Sequence, residues 1–341
     1  MKYGQGIIEY GLSLLILSTM KKFFGRVLFS LATLTMLVIS GCEENPQKVK
    51  EEFIRGSLEK INADSLKSYI QFLESMKTRF LLADNHRQVA VKIKQKFISF
   101  GYQNTVLDSF YLTFNYAGRT YDTWQYNVIA TLCGKSFTDS VSIIGAHYDN
   151  YVKSGDPFDF APGACDNASG VAAVFEIARQ MHERSFTPLY TIRFVAFAGE
   201  EVGLHGSYDY VKKASENNEK IIMMLNNDMI ANITASSTQS WKINIIDYSN
   251  SAGLRKEADR ICTTYTSLLS YNDNTFSGSS DSYPFYLYGY KALFFIQPSL
   301  GDTYHTINDL SSACNFDYCR EIVKISYALL LERNYRHNIQ N

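Results

Sequence analysis

The chain has no surplus of positive charge: 33 Lys plus Arg stand against 34 Asp plus Glu, a net charge of −1. A phosphate backbone is held by uncompensated cations, so nucleic acid is not an expected partner. Cysteine is scarce, six in 341 residues, and no two form a CxxC pair. That leaves out a disulfide scaffold, a zinc ribbon and a dithiol redox centre. No internal repeat and no Pro- or Gly-rich linker follows residue 50. With 46% hydrophobic and only 20% charged residues the chain is not disordered, and its simplest organisation is a single domain over 51–341.

The longest apolar run, Val27 to Ser40, is short for a membrane span. Lys21, Lys22 and Arg26 precede it, and Gly41, Cys42, Glu43 and Glu44 follow at once. A basic region, an apolar stretch and Val38-Ile39-Ser40-Gly41-Cys42 resemble a bacterial lipoprotein signal, in which the cysteine becomes the lipidated first residue. Residues 1–41 then read as a signal segment, with translation starting at Met1 or at Met20, and an uncleaved anchor is the alternative. Polar residues 42–50, with Pro46, read as a tether. The expected location is the bacterial cell envelope, periplasmic or surface-exposed, held to the membrane through lipid alone. In such an oxidising compartment Cys314 and Cys319 are close enough in sequence to bridge if geometry permits, and Cys165 and Cys133 are candidates for unpaired thiols.

Helical patterning runs from Val49 to about Met76, and Val89, Val91, Ile93, Phe97 and Ile98 mark a helix stopped by Gly101. Strands are expected over Thr105–Phe114, Tyr126–Cys133 and Ser140–Ala146. From there helices (Gly170–His182, Gly206–Ala214, Ala252–Leu269, Phe316–Asn334) alternate with strands (Tyr190–Ala198, Ile221–Asn227, Trp241–Asp247, Lys291–Gln297). This alternation predicts an α/β fold with a mixed, largely parallel central sheet and helices on both faces.

Ligands of open α/β sheets bind beyond the carboxyl ends of the strands. There the sequence places His147-Tyr148-Asp149, Gly199-Glu200-Glu201, Asp228 and the loop Tyr304-His305-Thr306, while Asp166 follows a Pro-Gly loop and precedes a helix. Singly, each has a plain explanation as a cap, a turn residue, a structural histidine or a solvated charge. Jointly they are imidazoles and carboxylates gathered at the ligand-binding edge, the donor types that suit Zn²⁺.

Five segments carry a resemblance to the M28-type zinc aminopeptidases: Gly145-Ala146-His147-Tyr148-Asp149, Pro162 to Gly170 (PGACDNASG), Phe197 to Leu204 (FAGEEVGL), Asn227-Asp228-Met229-Ile230 and Tyr304-His305-Thr306. They stand in that family's order, and the likeness covers roughly residues 85–340. It implies a zinc exopeptidase-like fold, two zinc ions, and hydrolysis of peptides at the free amino end by a metal-activated water. Carried over motif by motif, His147 and Asp228 would hold one zinc, Glu201 and His305 the other, Asp166 would bridge them, and Glu200 would be the general base. A carboxylate engaged by metal is a poor proton acceptor, whereas a neighbour outside the ligand set is free for that role. For both glutamates to reach the site the chain must turn after Ala198, and Gly199 is the place for it. Asp149 is the expected partner of the His147 imidazole, a solvated loop carboxylate being the plainer reading.

Two positions depart from the family pattern. Cys165 stands before Asp166 where an acidic residue is common, and Ser277 stands where several relatives carry an oxyanion-stabilising tyrosine, so no such tyrosine is assigned. Tyr151, Phe158, Phe160, Tyr283, Phe285 and Tyr286 line the substrate pocket or pack within the loops. A glutaminyl cyclase on the same fold is one rival, but the tryptophan expected soon after its glutamate pair is missing. A non-catalytic binding domain is another, opposed by retention of all five ligand positions and Glu200.

Overall fold

The computed structural model describes residues 19–22, 45–233 and 241–335. Val27–Ser40 and Cys42 lie outside the described residues. Two compact units divide the chain, Met1–Val49 and Lys50–Asn341. A helix, α1 (Pro46–Leu58), begins within the expected tether. Proline at the first helical position gives up a backbone donor that the helix cannot use, and the Asn45 side chain accepts the N–H of Gln47 at 3.0 Å.

The expected helix from Val49 to Met76 is interrupted. Asn62 accepts the N–H groups of Asp64 and Ser65, which starts a separate helix, α2 (Ala63–Glu74). α3 (His86–Ser99) follows and Gly101 ends it. The hairpin β1 (Val106–Tyr116) and β2 (Arg119–Leu132) leads into β3 (Phe137–His147), α4 (Ser169–Glu183), β4 (Tyr190–Phe197), α5 (His205–Glu216) and β5 (Lys220–Asn227). Next come β6 (Lys242–Asp247), α6 (Ala252–Tyr265), the short β7 (Leu269–Tyr271), α7 (Ser282–Leu287), β8 (Ala292–Ile296) and α8 (Phe316–Asn334).

The eight strands form one sheet in the order β1-β2-β4-β3-β5-β8-β6-β7. Its centre, β4-β3-β5-β8, is parallel throughout, while β1, β2 and β6 join antiparallel neighbours. Alternate residues therefore feed two cores. Ile144, Phe194 and Leu225 face α2, α3, α4, α6 and α8, while Ile143, Val195, Phe197 and Met224 face α5 and α7. α4 and α8 are buried on nearly every side. Helices cover both faces, as the alternating pattern predicts.

Parallel register brings the ends of β3, β4, β5 and β8 level: His147 pairs with Phe197, Gly145 with Asn226 and Asn227 with Phe295. Every chain segment leaving these strands starts at one edge of the sheet. Among the described residues no helix is long and apolar enough to cross a membrane.

Candidate metal centre

His147 is the last residue of β3, and Asp228 is the first after β5. Glu200 and Glu201 follow β4, where Gly199 takes φ +71°, a left-handed turn that glycine adopts without a Cβ clash. This is the turn the paired glutamates require. His305 lies in the loop after β8 at φ +54°, and Met229, beside Asp228, is also at φ +54°. Non-glycine residues hold that conformation at a cost of about 1–3 kcal/mol, a pattern of strain that gathers at functional sites. Asp166 comes from the turn before α4, reached through Gly163 at φ +50°. A Cβ at Gly163 would collide with the Asp166 carbonyl oxygen and with Asn150.

These residues, far apart in sequence, form two groups that share a member: His147, Asp166 and Asp228, and Asp166, Glu201 and His305. Within each group one ligand atom of every residue lies within 4.8 Å of the others. Nε2 of His147 is 3.3 Å from Asp228 Oδ1 and 3.4 Å from Asp166 Oδ1. Nε2 of His305 is 3.1 Å from Asp166 Oδ2 and 2.8 Å from Glu201 Oε2. Asp166 thus turns one oxygen to each imidazole. Glu200 belongs to neither group, with Oε2 at 3.9 Å from His147 Nε2.

The arrangement fits divalent cations. A carbonyl can only accept, so the 3.1 Å contact between His147 Nδ1 and the Asp149 carbonyl fixes the proton on Nδ1. In the neutral ring Nε2 then points a lone pair at carboxylate oxygens, an arrangement that a cation between them relieves. Glu201 Oε1 and His305 Nδ1 are buried with no hydrogen-bond partner.

Without metal the electrostatics are strained. Burial pushes the Glu201 carboxyl up to about 8, with the charge of Asp166 adding to it and His305 opposing. Glu200 is raised well above the carboxylate range, first by burial and then by Asp228 and Glu201, against the pull of His147. Asp166 runs the other way: hydrogen bonds from both histidines outweigh its burial and hold it below the usual range. Those same contacts raise His305 to about 9 despite its burial.

Asp149 does touch His147, but through its carbonyl oxygen. Its carboxylate, 3.8 Å from Nδ1, instead accepts the backbone N–H groups of Glu200 at 3.1 Å and Glu201 at 3.2 Å. The reason is local: the chain after β3 and the turn after β4 run side by side, and two adjacent amides face one buried carboxylate. Sequence reasoning missed Ser280, whose hydroxyl donates to Asp228 Oδ2 at 2.6 Å and accepts from Asn226 at 2.6 Å. Asp281, given no role from sequence, is a fully buried carboxyl raised by burial to about 7. Arg79 was missed too, and no sequence pattern marks it.

The groups open on a cavity of about 150 Å³ whose other walls are Met229, Phe276, Ser279, Phe294, Ile296, Leu300 and Tyr304. Of the two readings of the six loop aromatics the structure favours packing, since none of them lines this cavity. Phe285 is core, Tyr283 and Tyr286 pack around Tyr248, and Tyr151 and Phe158 pack around Phe80, although the Tyr151 and His305 rings stand perpendicular with centroids 5.6 Å apart. Phe160 is more than a third exposed. Cys314 and Cys319 are not bridged, and all five described cysteines are free. Cys319 is buried in the first turn of α8, and the Cys314 thiol faces the Leu310 carbonyl.

A largely parallel sheet carries at its carboxyl edge two imidazole-carboxylate groups that share one aspartate, a donor set that suits divalent metal. The pattern of peptidase family M28 matches residues 127–330, more than half of the chain, and the chain belongs to that family. It is 27% identical over 321 residues to a probable zinc metalloprotease of Pyrenophora teres f. teres, covering 82% of this chain and 66% of that protein. It is 30% identical over 222 residues to leucine aminopeptidase 1 of Trichophyton rubrum, covering 61% and 58%. The chain therefore spans less than two thirds of the length of these curated relatives. The fold matches the LapA aminopeptidase of Legionella pneumophila with TM-score 0.68 at 20% identity, covering 83% of this chain and 74% of that one. It also matches a glutaminyl cyclase of Bacteroides thetaiotaomicron with TM-score 0.63 at 16% identity, covering 81% and 99%.

Proposed function

We propose that this protein is a zinc aminopeptidase that removes the residue at the free amino end of peptides, using two zinc ions. The observation that carries the reading is Asp166, which presents one carboxylate oxygen to each of two imidazoles. His147 and Asp228 would hold one zinc, Glu201 and His305 the other, with Asp166 shared between them. When bound, such a pair lowers the pKa of a water and polarises the scissile carbonyl.

The remaining chemistry belongs to the chain. Glu200 accepts a proton from the attacking water at its carboxylate and passes it to the departing amine nitrogen. Asp149 fixes its backbone by accepting its N–H. Met229, Phe276, Ile296 and Leu300 exclude water and receive an apolar first side chain.

The cyclase reading lacks its tryptophan. The chain has two: Trp124 is exposed on β2 and Trp241 packs against Tyr318, and neither lines the cavity. Ahead of this unit, residues 1–41 act as a lipoprotein signal and Cys42 carries the lipid that holds the protein to the bacterial envelope. This is supported by the basic, apolar and Gly41-Cys42 succession. Cys42→Ala should release the protein into the soluble fraction.

The deciding experiment combines zinc stoichiometry on the purified protein with turnover of aminoacyl-anilide and N-terminal glutaminyl substrates. Two zinc ions with anilide cleavage support the proposal. Cyclisation without cleavage supports the cyclase, and no turnover with either supports a binding domain.

A further inference from the structure

The segment Pro162–Asp166 delivers the shared carboxylate, and it is gripped from two sides. On its carbonyl side, buried Arg79 donates from Nη1 to Pro162 O at 2.8 Å and from Nη2 to Gly163 O at 2.7 Å, while its Nε donates to Tyr148 O at 2.7 Å. On its amide side stands one residue, Asp309. The Asp309 carbonyl accepts the N–H of Ala164 at 2.9 Å, Oδ1 that of Cys165 at 2.9 Å, and Oδ2 that of Asp166 at 2.9 Å. Three successive amides meet three oxygens of a single side chain and its carbonyl.

Asp309 lies four residues after His305, and its own N–H donates to Thr306 O at 3.2 Å. It therefore ties the loop carrying His305 to the turn carrying Asp166. Residues 164–166 are buried, so water cannot replace these acceptors. Asp149 makes the corresponding grip on Glu200 and Glu201 from the loop of His147. Each histidine-bearing loop thus carries an aspartate whose carboxylate bonds two adjacent amides of a carboxylate-bearing turn.

Resting on the zinc reading above, we infer that Asp309 is a positioning residue. It sets Asp166 and His305 at their mutual distance before metal arrives, and so governs the affinity of the zinc held by Asp166, Glu201 and His305. It touches neither metal nor substrate.

The test titrates metal-free protein with Zn²⁺ against a chromophoric chelator, for the native chain and for Asp309→Asn. Asparagine keeps the shape but sets an NH₂ against one of the two amides. The native chain should take two equivalents. In the variant, the equivalent held by Glu201 and His305 should weaken by about 10–100-fold and the other, which shares only Asp166 with it, by less, with kcat lowered and KM little changed. A variant that loses only thermal stability, with both zinc affinities native, overturns the inference and leaves the proposed function standing. A native chain that takes up no zinc overturns both. Should Asp309→Asn fail to fold, amide exchange on the native chain decides. The Cys165 and Asp166 amides should be protected without metal, and protection appearing only on adding Zn²⁺ overturns the inference.

Discussion

Glu200 holds Oε2 at 3.9 Å from Nε2 of His147, beyond the 3.3 and 3.4 Å at which Asp228 and Asp166 face the same nitrogen. It lines the cavity yet completes neither group. A glutamine there keeps the shape and removes the proton acceptor. For Glu200→Gln the expected outcome is zinc content near that of the native protein, with kcat lower by about 10²–10⁴-fold. Metal analysis beside steady-state kinetics checks this.

Its neighbour should behave in the opposite way. Glu201 Oε2 is 2.8 Å from His305 Nε2, and its other oxygen is buried without a partner. Glu201→Gln is expected to lose at least one zinc equivalent, with activity falling as metal is lost and recovering partly at high Zn²⁺. If Glu201→Gln keeps full zinc while Glu200→Gln sheds it, the two roles are exchanged.

Much of this was legible because residue chemistry and strand periodicity coincide. An apolar run ending in His147 or Asn227 predicts a strand whose next residue sits at the sheet edge, and parallel order brings such ends together. What escaped is contact between segments with no local signature. The Arg79 guanidinium binds backbone carbonyls and the Asp309 carboxylate binds amides of the 164–166 turn, and backbone acceptors and donors leave no mark on the sequence that carries them. Between lining the cavity and packing within the loops, the sequence leaves the aromatics undecided for a similar reason. Tyr283, Phe285 and Tyr286 belong to α7, a single short helix with Pro284 in its first turn, which turns them toward Tyr248 and the core.

The metal-free site should make stability depend on pH. Glu201 is raised by burial to about 8 and Asp281 by burial to about 7, while His305, despite burial, is raised to about 9 by its hydrogen bonds to Asp166 and Glu201. Each holds its proton to a higher pH folded than unfolded, so between about pH 5 and 8 the folded chain binds more protons and stability falls as pH rises. Zinc displaces the protons of Glu201 and His305 and removes their share of the penalty. Calorimetry with and without Zn²⁺ should show the metal-free Tm declining over that range and the gain on loading growing. A metal-free Tm that rises with pH contradicts this.

Cys165 sits beside the shared aspartate, where a reactive thiol would expose the site to oxidation. The surroundings argue otherwise. Burial pushes its thiol far above the ordinary range, and Sγ donates to Gln297 Oε1 at 3.1 Å, an oxygen that also accepts the Asn232 N–H at 2.8 Å. A thiol kept protonated and enclosed is a poor nucleophile, whereas Cys133, at the end of β2, is exposed. Brief alkylation of the folded protein should therefore modify Cys133 and spare both Cys165 and activity, as peptide mass mapping would show. Cys165→Ala leaves Gln297 one remaining donor and should cost only about 1 kcal/mol of stability. Rapid loss of turnover that this same substitution prevents would instead make Cys165 the reactive thiol of the site.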